Sequence, residues 1–133
     1  MRLEVLRGEF AIMRLNASAA LPGWIEAAAE FLSITRTREE LSIVCESTLV
    51  PPEIAAERWW RCMKVEGPLD FSLTGVLASL AEPLARAGIP IFAISTFDTD
   101  YVLVKAANLE AAVAALEAVD HVVHVAREGS GSV

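Results

Sequence analysis

At 133 residues, 54% apolar and 22% charged, the chain has material for one compact domain or two very small ones sharing a core; large independent lobes and intrinsic disorder are excluded. A formal charge of -7 disfavours nucleic acid and anionic membrane surfaces, since both are bound with surplus Lys and Arg. Arg2, Glu4, Arg7, Glu9 and Arg14 break up the first fifteen residues, so no signal peptide is read there. No later stretch reaches the roughly 18 apolar residues of a membrane span, and a cytoplasmic location is expected.

In chain order, Leu3 to Leu6 is an apolar run able to pair with an open sheet edge in the first half, and Phe10 to Leu15 reads as a strand. Pro22 to Ala29 is a short helix with proline near its first turn. Phe31 to Thr35 and Leu41 to Cys45 form a hairpin around Arg36-Thr37-Arg38-Glu39-Glu40, and a weak helix is expected at Glu53 to Arg58. Trp59 and Trp60 follow; adjacent side chains diverge, so one ring fills the core while its neighbour covers a seam. Cys45 and Cys62 lack C-x-x-C spacing, sit in strand-like runs and read as buried reduced thiols.

Arg61 to Glu66 is the next strand. Leu73, Val76, Leu77, Leu80 and Leu84 then recur at helical spacing, with Asp70 or Ser72 as cap, Pro83 removing the bond to the Ser79 carbonyl, and Gly88 as the stop. A second hairpin joins Ile91 to Thr96 with Tyr101 to Lys105. Asn108 caps a helix striped by Leu109, Ala112, Val113 and Leu116, and a last strand lies near His121 to Ala126. Glu128 to Val133 has nothing to bury and is expected to fray. The two hairpins register at an offset of 60, Ile34 with Ile94 and Val44 with Val104, which reads as an internal duplication of a βαββαβ order, the first copy abbreviated.

The runs Lys64-Val65-Glu66-Gly67-Pro68-Leu69-Asp70-Phe71-Ser72-Leu73-Thr74-Gly75-Val76, Leu84-Ala85-Arg86-Ala87-Gly88-Ile89 and Ile94-Ser95-Thr96-Phe97-Asp98-Thr99-Asp100-Tyr101 resemble the tandem ACT domain proteins, in particular small bacterial members related to the arginine sensors of the TOR pathway. The resemblance implies an α+β fold of two ferredoxin-like units with antiparallel sheets and helices on one face, at 1–58 and 59–127, before the tail at 128–133. It further implies a non-catalytic regulatory module that binds an amino acid at an interface between units, as a homodimer acting on a separate protein partner. Carried over by residue, one side of the site is the loop Glu66, Gly67, Pro68, Leu69, Asp70, Phe71, Ser72 and Leu73; the other is Ile94, Ser95, Thr96 and Asp98. The counterpart loop of the first unit, Asn16 to Gly23, lacks Glu-Gly-Pro, so the second unit alone is expected to bind.

The residues themselves allow two readings. Gly67 permits close backbone approach, and free N–H groups at a helix start suit a carboxylate, while Asp70, Asp98 or Asp100 suit an ammonium. Alternatively Asp70 is only a cap, the hairpin acids are solvated turn residues, and Ser95 and Thr96 merely face solvent. His121 and His124, three apart in a strand, point to opposite faces, which argues against a metal. No nucleophile elbow or phosphate loop is present, so no enzyme activity and no cofactor are expected. The competing function is a ligand-free protein–protein interaction module.

Overall fold

Among the described residues, 1–70 and 73–126 of a computed structural model, the chain runs β1 (Arg2–Val5), β2 (Phe10–Leu15), β3 (Ser33–Arg36), β4 (Leu41–Glu46), β5 (Glu57–Val65), α1 (Val76–Arg86), β6 (Phe92–Ser95), β7 (Asp100–Lys105), α2 (Leu109–Glu117) and β8 (Val122–Val125). It divides into two compact units, Gly8–Trp60 and a second made of Met1–Arg7 with the chain from Arg61 onward. The tail expected at 128–133 lies outside the described residues.

In the Gly8–Trp60 unit the strand order is β3-β4-β2-β5. Alternating residues of β2 (Ala11, Met13) and β4 (Leu41, Ile43, Cys45) bury one face of this sheet, as the two-residue period of a strand requires. Ile25 and Val50 cover that face from segments that are not α-helical. The helix expected at Pro22 to Ala29 is a five-residue 3-10 turn, Gly23–Ala27, and the one expected at Glu53 to Arg58 is absent. Glu57 and Arg58 belong instead to β5, and a segment this short behind Pro51-Pro52 cannot repay helix nucleation. The Arg58 guanidinium donates to the carbonyls of Val50, Pro51 and Ile54 in this segment. Phe10 meets Phe31 edge to face, with centroids 6.2 Å apart.

Where β5 leaves this unit it is bulged. Phe10 pairs with Trp60 but Ile12 with Glu57, so one extra residue is inserted, and Trp59 absorbs it at φ 67, a region costly for a bulky side chain. The bulge separates the tryptophans: Trp60 is buried, whereas Trp59 is 57% exposed.

In the second unit the order is β6-β7-β5-β1-β8. β1 is antiparallel to β5 (Leu3↔Val65, Val5↔Met63) and parallel to β8 (Leu3↔Val123, Val5↔Val125). The N-terminal strand thus lies inside this sheet and does not close the other one. Leu3 and Val5 have no exposure and share a core with Met63, Val65, Val102 and Val104 of the sheet, Leu80 and Leu84 of α1, and Ala112 and Leu116 of α2. Each fully buried leucine or valine contributes about 1.5–3 kcal/mol of transfer free energy, which places most of the stabilisation on this helix-covered face.

α1 ends as expected. Gly88 at φ 74 donates to Ala85, and Ile89 to Leu84, the paired bonds of a Schellman motif. Its start differs: the N-cap is Gly75, at φ 76, with no side-chain cap bond, and Leu73 lies before the helix, 51% exposed. Asn108 holds the N-cap position of α2, also without a side-chain bond. Pro83 sits inside α1 and leaves the Ser79 carbonyl without its helical donor; His121 supplies one, Nε2 donating at 3.0 Å, which leaves Nδ1 to accept from the Met1 amine at 3.0 Å.

The hairpins correspond, but at an offset of 59. Arg36 pairs with Leu41 as Ser95 pairs with Asp100, and each turn is closed by the same bond, Thr37 N–H to Glu40 O (2.9 Å) and Thr96 N–H to Thr99 O (2.8 Å). The buried runs Ile43-Val44-Cys45 and Val102-Leu103-Val104 agree with that spacing. An offset of 60 would exchange the two faces of every strand residue.

Two predictions follow from these contacts. His121→Ala leaves the part-buried Ser79 carbonyl without its donor and should cost about 1–3 kcal/mol in urea denaturation, whereas in a Pro83→Ala background, where residue 83 regains an N–H, the same change should cost under about 1 kcal/mol. Strict additivity would refute the pairing. Burial pushes the Cys62 thiol up to about 12, and burial with the Glu46 carboxylate pushes Cys45 up to about 11, from 9.0. Protonated thiols favour the fold fully below pH 9; above it the unfolded chain ionises first, so stability should fall as pH rises from 9 towards 11. Neither thiol should react with an aromatic disulfide at pH 8 before unfolding, and fast native labelling would contradict the burial.

Candidate functional site

Val65 ends β5, and the next residues are fastened to the tip of the β6–β7 hairpin. The buried Thr99 hydroxyl donates to the Val65 carbonyl at 2.7 Å, and the Leu69 N–H donates to the Asp98 carbonyl at 2.7 Å. Gly67 makes this approach possible: a Cβ there would stand 3.1 Å from both the Asp98 oxygen and the Leu69 nitrogen, and 3.3 Å from Thr99 Cβ. The Gly67–Pro68 peptide is cis. Beyond the clamp the loop and hairpin part around a cavity of about 340 Å³. Leu69, Asp70, Leu73, Gly75, Val76 and Leu77 line one side, and Ser95 through Asp100 line the other.

The two walls carry opposite polarity. Val76 and Leu77 belong to the first turn of α1, whose N–H groups have no carbonyl of their own helix to bond, and Gly75 offers no capping side chain, so this wall is the positive end of the helix dipole. Facing it are the carboxylates of Asp98 and Asp100, with Asp70 at the loop, and among the described residues no Lys, Arg or His lines the cavity. Ser95 Oγ donates to Asp100 Oδ1 at 2.6 Å, fixing that carboxylate. Behind the hairpin, burial first, then the Cys62 thiol and the Asp98 carboxylate, push the Tyr101 phenol up, so it stays protonated at neutral pH.

Of the residues expected at the site, Leu69, Asp70, Leu73, Ser95, Thr96 and Asp98 line the cavity. Gly67 stands behind it in the clamp, and Pro68 and Ile94 are not among its lining. Glu66 is engaged elsewhere: its carboxylate accepts from Arg2 Nε at 3.4 Å and bonds His124 Nε2. Phe71 and Ser72 lie outside the described residues. Two of the loop amides expected to face a ligand are spent within the protein, Leu69 on Asp98 and Leu73 on Asp70. Among the described residues, the first-turn amides of α1 begin at Val76, and the N-cap Gly75 makes no side-chain cap bond. Gly75, Val76, Leu77, Phe97, Thr99 and Asp100 complete the lining.

Among the described residues no group of three His, Cys, Asp or Glu side chains is arranged to hold a metal ion, and no helix is long and apolar enough to cross a membrane.

Residues 55–118 match the ACT domain family, and residues 8–53 match a second family model described as an N-terminal domain. A crystal structure of a protein from Agobacterium tumefaciens superposes with a TM-score of 0.89 at 39% identity, covering 96% of this chain and 94% of that one. The ligand-free regulatory subunit of aspartate kinase from Thermus thermophilus shares the fold, with a TM-score of 0.56 at 17% identity over 85% of this chain and 93% of that one. A 46-residue stretch is 46% identical to the human cytosolic arginine sensor for mTORC1 subunit 1, and spans 34% of this chain but only 14% of that protein. Carrying the matched domain at residues 55–118 on a closely superposing whole-chain relative, the chain belongs to the ACT-domain family.

Proposed function

We propose that the chain is a regulatory module whose second unit binds a free amino acid in the cavity between the start of α1 and the β6–β7 hairpin. One observation carries the reading: a cavity of about 340 Å³, near the lower end of the roughly 300–1,000 Å³ typical of small-molecule sites, has an uncapped helix start on one wall and carboxylates on the other. A zwitterion matches both poles. Its carboxylate takes the first-turn N–H groups and its ammonium lies among Asp98, Asp100 and Asp70. Three acids and no base in the lining favour a ligand with a further cationic group, which agrees with the arginine named for the human relative. Regulation requires that the ligand bind one arrangement of the protein better than another. Leu73 and Phe97, 51% and 78% exposed, form an apolar rim at the mouth, and a second copy of the chain covering that rim would place the ligand at an interface.

The same rim supports a second reading, a module that docks another protein through Leu73 and Phe97 with no small ligand.

Thermal-shift and calorimetric titration against the standard amino acids separate the two. Sensing predicts that basic amino acids raise the melting temperature, saturably and more than neutral ones, and that analytical ultracentrifugation shows ligand-dependent dimerisation. A folded protein that responds to none of them leaves the docking reading. Gly67→Ala forces the loop off the Asp98 carbonyl, and should weaken the best ligand by tenfold or more, about 1.4 kcal/mol, beside a loss of stability; unchanged affinity would remove the clamp from the site.

A further inference from the structure

The position that opens the cavity in one unit is filled in the other. At the offset of 59, Ser95 corresponds to Arg36. Ser95 is short and turns back onto Asp100, leaving the space beyond it empty. Arg36 instead spans from the end of β3 to the loop that follows β2. Its Nη2 donates to the Ala19 carbonyl at 2.9 Å and its Nη1 donates to the Ala17 carbonyl. That loop is the topological counterpart of the one after β5, since each follows the strand that lies beside the second strand of its hairpin.

The receiving carbonyls are held by bonds of their own. Asn16 Oδ1 accepts from both the N–H and the hydroxyl of Ser18, at 3.1 and 3.0 Å, and the Asn16 carbonyl accepts from Ala19 N–H at 2.9 Å. The loop therefore presents two oriented acceptors, two residues apart, to a planar fork. That geometry suits a guanidinium, whose paired N–H groups diverge in one plane, better than an ammonium, which is a point charge. The hairpin side is anchored in parallel fashion in both units. Glu39 and Asp98 correspond, and the carbonyl of each accepts a bond from across the hairpin, from Arg14 Nη2 of β2 at 2.7 Å in one and from Leu69 N–H of the loop after β5 at 2.7 Å in the other.

We propose that the Gly8–Trp60 unit retains a guanidinium-binding site at the Ala17 and Ala19 carbonyls, occupied in cis by Arg36, and that this occupancy closes the unit to free ligand. The chain then offers one open site where its repeated hairpins suggest two. The inference rests on contacts within the first unit and does not require the amino-acid reading of the second.

The test uses the full chain and ethylguanidinium, a fragment of the arginine side chain. Arg36→Ala removes the fork and should lower the melting temperature by about 3–5 °C, as expected for lost charge-assisted bonds in a chain of this size. Millimolar ethylguanidinium should then raise the melting temperature of the variant by about 2 °C or more, saturably, and leave the wild-type protein unmoved. Ethylammonium at the same concentration should restore nothing. Arg36→Ser, which places the corresponding residue of the open unit here, gives an independent variant with the same expectation should the alanine chain fold poorly. Equal responses of wild type and both variants to ethylguanidinium would overturn the proposal, as would equal rescue by ethylammonium.

Discussion

The absence of a side chain at Gly67 is the constraint on which the geometry of the second unit's site depends. With the Asp98 oxygen and the Leu69 nitrogen both 3.1 Å from where a Cβ would stand, loop and hairpin are as close as two backbones come. Only at that distance can Leu69 donate to Asp98 and the buried Thr99 hydroxyl reach the Val65 carbonyl. These bonds satisfy polar groups that burial would otherwise leave costly, at about 1–3 kcal/mol each. They also fix where the walls separate: past the clamp the loop must turn away to enter α1 while the hairpin continues, and the cavity is the space between them. A rigid hinge line beside an open mouth is the arrangement a binding site needs, because its groups are held in place before any ligand arrives.

The start of α1 adds a cost that the fold does not need to carry. Ser, Thr, Asp or Asn at the N-cap position stabilises a helix by about 1 kcal/mol relative to a residue with no side-chain acceptor. Here Gly75 takes the position in the left-handed region, and its φ of 76 is one that a side-chain cap would strain to adopt. At the C-terminus of the same helix the Schellman bonds occupy the Leu84 and Ala85 carbonyls, and the carbonyl orphaned by Pro83 is bonded by His121. Among the described residues, the end of this helix is thus bonded at Leu84 and Ala85, while its start, beside the cavity, carries no side-chain cap bond.

Much of the architecture was legible because it rests on periodicity. The α1 stripe, both hairpins, the α2 stripe and the final strand follow from spacing alone, and the Leu80, Leu84 and Leu116 positions read from the stripes are fully buried. What was not legible depends on contacts distant in sequence. Leu3 and Val5 fit any open sheet edge; only the gap between β5 and β8 decides where β1 goes. The segment from Glu53 to Arg58 has helical residues, but β5 claims its end through pairing with Ile12. The hairpin offset was read one residue too long because apolar identities align almost as well at 60, and it is the Thr37 and Thr96 turn bonds that set it at 59. Ser95, Thr96 and Asp98, named from the family resemblance and not from the residues alone, line the cavity, while the amides of Leu69 and Leu73 in the loop are bonded within the protein. A sequence shows where amides are but not which have already found carbonyls, and Leu69 and Leu73 had.

The two hairpins act as a natural comparison at a single position. Backbone turn, closing bonds and buried triad are the same in both, so the difference between Ser95 and Arg36 is close to a substitution made in a constant setting. A serine that bonds sideways to Asp100 leaves a hollow with a negative wall; an arginine that reaches across meets carbonyl oxygens instead. The first unit's loop presents main-chain oxygens to Arg36, whereas the carboxylates beside the hollow of the second unit stand on its hairpin, at Asp98 and Asp100.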